Sequence, residues 1–261
     1  MDIEDLRKIG RRLRQELPPL VQKFYGGAPL GKGAGGDKTY PIDKCAEEII
    51  FEEIEKINKP VTIISEEYGF KDIKGGGLKL LIDPIDGSKN AVSGLPLFST
   101  SIAVIEGDTL EHTKLGYVIN LINGDEFWAV KGGGSFINGV SIKTQQDDLC
   151  RVIAYEAQTP KTDIPKIMPL FSLFHRTRCL GSTALDMSFL AQGAVSMFIT
   201  PSPSRSFDFA AGYLLVKEAG GIVTDLDGKS LDKIPVGIEK ISPILASANE
   251  LLHRKALNAL K

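Results

Sequence analysis

The 261-residue chain is poor in the side chains that build soft-metal and disulfide chemistry, with three cysteines, three histidines and one tryptophan. Cys45, Cys150 and Cys179 lie far apart and share no CxxC spacing, which argues against a zinc site or a disulfide framework and predicts buried apolar thiols. His112, His175 and His253 have no helical i, i+4 partner. Any bound metal is therefore expected on carboxylates, which select hard ions such as Mg2+ or Mn2+. No apolar run approaches the ~20 residues that cross a bilayer. Met1 to Arg14 is charged throughout instead of carrying an apolar signal core, so a cytoplasmic protein without a membrane partner is expected. Neither sign of charge dominates: 31 Lys and Arg against 33 Asp and Glu, interspersed, give a net charge of -2. That balance lacks the basic stripe a nucleic-acid partner needs.

What is present is a hydrophobic content of 43%, enough to bury a sizeable core in one large domain or two small ones. Leu6, Ile9, Leu13, Leu17, Leu20 and Phe24 recur near a 3.6 period and predict an amphipathic helix. Residues 26 to 37 (GGAPLGKGAGGD) are too rich in glycine for regular structure and predict a mobile loop. Thr39 then reads as an N-cap and Pro41 as a first-turn proline, ahead of a second helix with Ile42, Cys45, Ile49, Ile50, Ile54 and Ile57 on its apolar stripe. Val61 to Ile64 and Leu78 to Ile82 predict buried strands, each stopping at acidic residues. Residues 97 to 105, 113 to 121 and 125 to 130 predict antiparallel strands, followed by a glycine-rich hairpin from Lys131 to Gly139. From about Arg151, strand-like runs (Arg151 to Tyr155, Val195 to Thr200, Gly221 to Thr224, Ile244 to Ser247) alternate with helix-like ones (Ser182 to Gln192, Asp208 to Ala219, Asn249 to Leu260). Such alternation predicts a second α/β layer.

The densest chemical signal is Asp83-Pro84-Ile85-Asp86-Gly87-Ser88, directly after a predicted strand. Pro84 is expected to end the ladder, so that both carboxylates turn toward one point. Two close carboxylates need a shared proton or a cation. Gly87 lets a backbone approach a ligand, and amides near Ser88 suit an anion. Taken alone, the same segment also reads as a plain turn in which Asp86 caps the next helix. Ser65-Glu66-Glu67 ends the other short strand, which fits either a second acidic cluster or a solvated strand end. Asp208, in Phe207-Asp208-Phe209-Ala210-Ala211-Gly212, fits either a site acid or a helix cap.

Together, Glu66-Glu67, DPIDGSKN and SFDFAAGYLLVKEAGG resemble the three signatures of the inositol monophosphatase superfamily. Thr39-Tyr40-Pro41-Ile42-Asp43 and Arg178-Cys179-Leu180-Gly181-Ser182-Thr183-Ala184 fall in the family's order, so the resemblance spans nearly the whole chain. GAGGDKTYPIDKCAEE and Arg205 look closest to archaeal inositol-1-monophosphatase/fructose-1,6-bisphosphatase enzymes. The resemblance implies an α+β, layered α/β/α/β/α sugar-phosphatase fold. In it, an N-terminal antiparallel sheet flanked by helices (residues 1–145) precedes a smaller C-terminal α/β sheet (146–261). It implies metal ligands at Glu66, Asp83, the Ile85 carbonyl, Asp86 and Asp208, for two or three Mg2+ per site with Mn2+ as a substitute. Asp43 and Ser88 match the catalytic acid and hydroxyl; Asp86, Gly87, Ser88, Arg178, Gly181, Ser182 and Arg205 match substrate contacts. The implied reaction is hydrolysis of a small phosphorylated polyol or sugar by in-line attack of an activated water, in a homodimer. A nucleotide 3'-phosphatase or NADP phosphatase on the same scaffold is the alternative. The chain departs from familiar members at Ser88, where threonine is usual, and in Thr200-Pro201-Ser202-Pro203-Ser204, which leaves substrate identity open. Arg205 and Arg178 read either as phosphate contacts or as surface arginines, Arg176 likewise, and Lys32 and Lys38 as loop lysines able to close over phosphate.

Overall fold

A computed structural model describes residues 1–261. Helix α1 (Ile3–Glu16) begins at a reciprocal cap between Asp2 and Asp5, and α2 (Pro18–Val21) continues its path. A two-stranded ribbon, β1 (Gly31–Lys32) with β2 (Lys38–Thr39), leads into α3 (Pro41–Ile57). An eight-stranded sheet follows: β3 (Val61–Ser65), β4 (Gly69–Ile73), β5 (Leu78–Asp86), β6 (Ser99–Ile105), β7 (Thr113–Asn120), β8 (Glu126–Val130), β9 (Gly134–Ile137) and β10 (Val140–Ile142), with α4 (Ser88–Ser93) between β5 and β6. Its order is β10-β9-β8-β7-β6-β5-β3-β4. Every neighbouring pair is antiparallel except β3 with β5. The second half holds β11 (Val152–Tyr155), α5 (Pro160–Phe171), β12 (Arg176–Arg178), α6 (Thr183–Ala191), β13 (Met197–Arg205), α7 (Ser206–Glu218), β14 (Ile222–Thr224), β15 (Lys240–Ser247) and α8 (Glu250–Ala259). Its sheet runs β12-β11-β13-β15-β14.

Strand alternation decides the layering. Ile63, Leu80 and Ile82 face Leu6, Ile9, Leu13, Ile42 and Ile50 of α1 and α3. Their neighbours Ile64 and Leu81 face the other way, into the largest core, with Leu185 and Leu190 of α6 and Phe209 and Leu215 of α7. Phe198 and Ile244 of the smaller sheet close that core from the far side, while Ile153, Ile199 and Leu245 carry α5 and α8 through Ile167, Leu170 and Ala256. Five layers result, α/β/α/β/α, as the resemblance implies, and α6 and α7 serve both sheets. No helix is long and apolar enough to cross a membrane.

Several expectations need correction. Pro84 does not end β5; the strand continues to Asp86 through a register shift between Asp83 and Asp86, where a missing N–H costs no ladder bond. The first sheet is mixed rather than wholly antiparallel. Residues 31–39 form a ribbon instead of irregular loop throughout, because Gly31 pairs with Thr39 and Lys32 with Lys38. Tyr40, not Thr39, is the N-cap of α3, since its N–H bonds Asp43 Oδ2 at 2.6 Å. The hairpin region yields two strands, β9 and β10. Helix α5 and strand β12 were not expected, and β13 outruns its predicted end through a break between Thr200 and Ser204 that accommodates Pro201 and Pro203. The thiols are free as expected but not buried: Cys45 and Cys150 are half-buried and Cys179 is exposed just beyond the edge strand β12.

Candidate active site

The alternation that builds the core also aims the acids. Counting along β5, Leu81 and Asp83 share the face turned to α7, and along β3, Ile64 and Glu66 do the same. Asp208 meets them from the first turn of α7, where its Oδ2 accepts the Arg205 backbone N–H at 2.8 Å. The shift in β5 turns Asp86 to that face as well. Its Oδ2 accepts from Ser182 Oγ at 2.6 Å and from the Ala184 N–H at 2.7 Å. Asp43 enters from the start of α3. Five carboxylates from four separate segments thus gather at one end of the central layer.

Burial and mutual repulsion penalise their charges. Burial, then Asp208, lifts Glu66 well above the ordinary carboxylate range, and burial, then Glu66, Asp86 and Asp208, does the same to Asp83. Burial pushes Asp208 up to about 7 against the opposing Arg205 charge, and Asp43 and Asp86 up to about 6. Asp83 and Asp43 are 4% and 1% exposed, and one oxygen of each, Oδ1, has no donor. Orphaned buried carboxylate oxygens in an all-oxygen cluster fit a hard divalent cation. No three of these side chains close into a finished ligand shell; Glu66 and Asp83 lie within hydrogen-bonding reach of each other, as two carboxyls do across a shared proton. The Ile85 carbonyl accepts Ser88 Oγ at 2.8 Å, and Ser88 also reaches Asp43.

Gly87 adopts φ +95°, and a Cβ there would stand 3.0 Å from the carbonyl oxygens of both Gly181 and Leu97. Only glycine allows the 181–182 turn to press against the 86–88 loop. Asn90 Nδ2 fastens the same junction, donating to the carbonyls of Leu97 and Leu180 at 2.7 Å each.

Asp43, Glu66, Asp83, Ile85, Asp86, Gly87, Ser88, Gly181, Ser182, Arg205 and Asp208 are therefore brought together. Arg178 is not; it is exposed on β12, and its guanidinium bonds the carbonyl of its neighbour Thr177, as Arg176 bonds that of His175. Strand β12 is the edge of the smaller sheet, and all three of its residues are exposed. Lys32 and Lys38 are exposed cross-strand partners on the ribbon.

Sequence reading missed several acids around the cluster. Glu47 accepts from Ser65 Oγ and the Tyr68 N–H, and Asp37 pairs with Arg205; Glu67, part of the expected acidic cluster, accepts from Thr39. Glu156, after β11, and Asp186, in α6, form a second buried pair behind Gly181, with Glu156 Oε1 and both Asp186 oxygens lacking donors. A polar position on a buried helix was the one available signal for Glu47 and Asp186.

Fold and site together define a phosphoric monoester hydrolase. The model of the inositol monophosphatase family matches residues 1–261, and the chain belongs to that family. It is 33% identical, over the full length of both chains, to a fructose-1,6-bisphosphatase/inositol-1-monophosphatase of Archaeoglobus fulgidus. It is 30% identical to a bifunctional NADP phosphatase/NAD kinase of Methanococcus maripaludis, over 97% of this chain and 48% of the relative. A crystal structure of an inositol monophosphatase-fructose 1,6 bisphosphatase superposes with a TM-score of 0.86 at 26% identity, covering 99% of this chain and 100% of the other.

Proposed function

We propose that the chain hydrolyses phosphate monoesters of small polyols or sugars, inositol 1-phosphate and fructose 1,6-bisphosphate among them, by direct in-line transfer of the phosphoryl group to water. The observation that carries this reading is the convergence of Asp43, Glu66, Asp83, Asp86 and Asp208, largely buried and mutually repelling, beside a glycine loop. Glu66, Asp83, the Ile85 carbonyl, Asp86 and Asp208 would hold Mg2+, which when bound would supply charge that eases deprotonation of water and offsets the phosphoryl oxygens.

The chain's own groups do the rest. Asp43 Oδ2 is fixed by the Tyr40 N–H at 2.6 Å, which leaves the unpartnered Oδ1 to accept the proton of the attacking water. Ser88 orients that carboxyl. The amides of Gly87 and Ser88 face the phosphoryl oxygens, and the transition-state charge spread over those oxygens is what they stabilise. Asp86, Gly181, Ser182 and Arg205 contact the alcohol portion, with Arg178 joining only if β12 shifts. The assembly is a cytoplasmic homodimer.

Release of phosphate from inositol 1-phosphate, fructose 1,6-bisphosphate, adenosine 3',5'-bisphosphate and NADP tests the reading. Turnover that EDTA abolishes and Mg2+ restores is expected, with Asp86→Asn folded but inactive. Full turnover of Asp86→Asn under saturating Mg2+ would overturn it. The identity to an archaeal NADP phosphatase/NAD kinase favours nucleotide or NADP hydrolysis as the second reading, which preference for the last two esters would establish.

A further inference from the structure

Helix α3 carries Asp43, Glu47, Phe51 and Glu55 at four-residue intervals, which sets them along one stripe. That stripe meets the β3–β4 hairpin, whose turn holds Glu66. Glu47 is 8% exposed, and its Oε1 accepts from Ser65 Oγ at 2.5 Å and from the Tyr68 N–H at 3.0 Å. One oxygen thus grips the chain on both sides of Glu66. One helical turn further on, the Phe51 ring meets the Tyr68 ring edge to face, with centroids 5.5 Å apart. Lys71 Nζ stands 4.9 Å over Phe51 and pairs with Glu55 at 2.9 Å. The hairpin needs such a grip, because β4 ends the sheet and has a strand on one side only. The ribbon adds two backbone bonds to the same turn, from the Ala34 N–H to the Glu67 carbonyl at 3.0 Å and from the Gly35 N–H to the Glu66 carbonyl at 2.8 Å. Only the α3 stripe, however, ties the turn to the helix that carries Asp43.

Resting on the phosphatase reading above, we propose that Glu47 is a positioning residue, a strut that holds Glu66 at a fixed offset from Asp43 and thereby sets how tightly the acid cluster takes a divalent cation. It acts through Ser65 and Tyr68 and not on the reacting atoms. A ligand carried on a loose edge turn must be ordered when the cation binds, and that entropy weakens binding; a turn fixed beforehand avoids the loss. The role calls for an acceptor oxygen and not for a charge, since both donors meet Oε1 and an amide keeps that oxygen. Ser65, fully buried, is the matching donor, and its loss leaves the Tyr68 bond in place.

Calorimetric titration with Mn2+ measures cation affinity without turnover, in wild type, Glu47→Gln, Glu47→Ala and Ser65→Ala. Glu47→Ala is expected to weaken Mn2+ binding about tenfold, Ser65→Ala to weaken it less, and Glu47→Gln to stay near wild type. The Mg2+ concentration needed for half-maximal phosphate release should rise in step. If Glu47→Gln binds as poorly as Glu47→Ala, the charge matters and the strut is wrong. Wild-type affinity in Glu47→Ala together with a lower Tm in EDTA would equally overturn it, because the contact would then stabilise the fold and nothing more. Should Glu47→Ala not fold, unchanged affinity in Ser65→Ala decides against the strut. A wild type that binds Mn2+ but releases no phosphate from any ester sinks the phosphatase reading, while the order of affinities still judges the strut; a wild type that binds no Mn2+ removes the strut with its site.

Discussion

Ser182 Oγ donates to Asp86 Oδ2 at 2.6 Å across 96 residues of sequence, joining the start of α6 to the end of β5. The same hydroxyl caps α6 through the Leu185 N–H at 3.4 Å and lies 3.2 Å from Ser99 Oγ. One side chain thus fixes both a helix terminus and a site carboxylate. Ser182→Ala should cost about 1–2 kcal/mol of stability, from the lost cap and the weakened carboxylate contact. It should also lower kcat/KM roughly tenfold, as Asp86 keeps only backbone donors. Urea unfolding alongside kinetics checks both, and lost stability with undiminished turnover would remove Asp86 alignment from the role of Ser182.

The acid cluster trades stability for site chemistry. Asp86, Asp208, Glu66 and Asp83 all have folded pKa values above those of an unfolded chain. Carboxyls raised in this way stabilise the fold fully below the unfolded value, and that contribution disappears as pH climbs through the folded value. For Asp86 and Asp208 the loss runs from the ordinary value of 3.8 up to about 6 and about 7. In EDTA, Tm should therefore fall as pH rises from about 4 to about 7, against a smaller opposing contribution from His253, whose pKa is depressed by burial. Mg2+ should flatten the fall by binding the ionised cluster. A chelated protein equally stable across that range would show that the carboxylates do not repel one another as described.

From the same electrostatics, Asp83→Asn should abolish turnover and yet raise the Tm of the chelated protein at pH 8.5 by about 5 °C. An amide removes one buried charge while keeping the shape, and Asp83 is the member whose neighbours, Glu66, Asp86 and Asp208, are all acidic. A drop in Tm would mean that the charge at Asp83 is compensated within the fold.

How much of this was legible in the sequence follows from the range of each signal. Asp83, Asp86 and Asp208 stand at the ends of strongly patterned elements, so their convergence could be expected from local spacing and the family resemblance. The Asp37–Arg205 pair spans 168 residues and lies on a ribbon whose glycines hide any period. Helix α5 went unseen because Pro165 and Pro169 lie inside it, each forfeiting a helical N–H, and packing of Ile167 and Leu170 on the smaller sheet compensates. Strand β13 was cut short for a similar reason. Its prolines fall where the ladder to β15 is already broken. Tertiary contacts decided these cases, and local propensity had no access to them.

Gly87 is where backbone geometry and chemistry meet most tightly. Ala at this position adds a Cβ to a left-handed conformation, φ +95°, and presses it against two carbonyl oxygens at 3.0 Å that belong to backbone and cannot rotate away. Gly87→Ala should lose about 2 kcal/mol or more of stability and at least about tenfold in turnover, because the 181–182 turn must retreat from Asp86. Unaltered melting and kinetics would mean that the turn has slack the distances do not suggest.

Asp43 separates positioning from proton transfer. Its Oδ2 caps α3 by accepting the Tyr40 N–H, and an asparagine oxygen can do the same, so Asp43→Asn should leave the unfolding free energy within about 1 kcal/mol of wild type. What the amide cannot do is take a proton from water, and kcat should fall by about 10²–10⁴-fold at saturating Mg2+. Burial of Asp43 at 1% exposure keeps bulk water from substituting for it. The decisive readout is the division between kcat and KM. A loss confined to KM would make Asp43 a binding group, and a kcat near wild type in the folded variant would pass the base role to another acid of the cluster, with Glu67, raised to about 7 by burial, next in reach of the ribbon side.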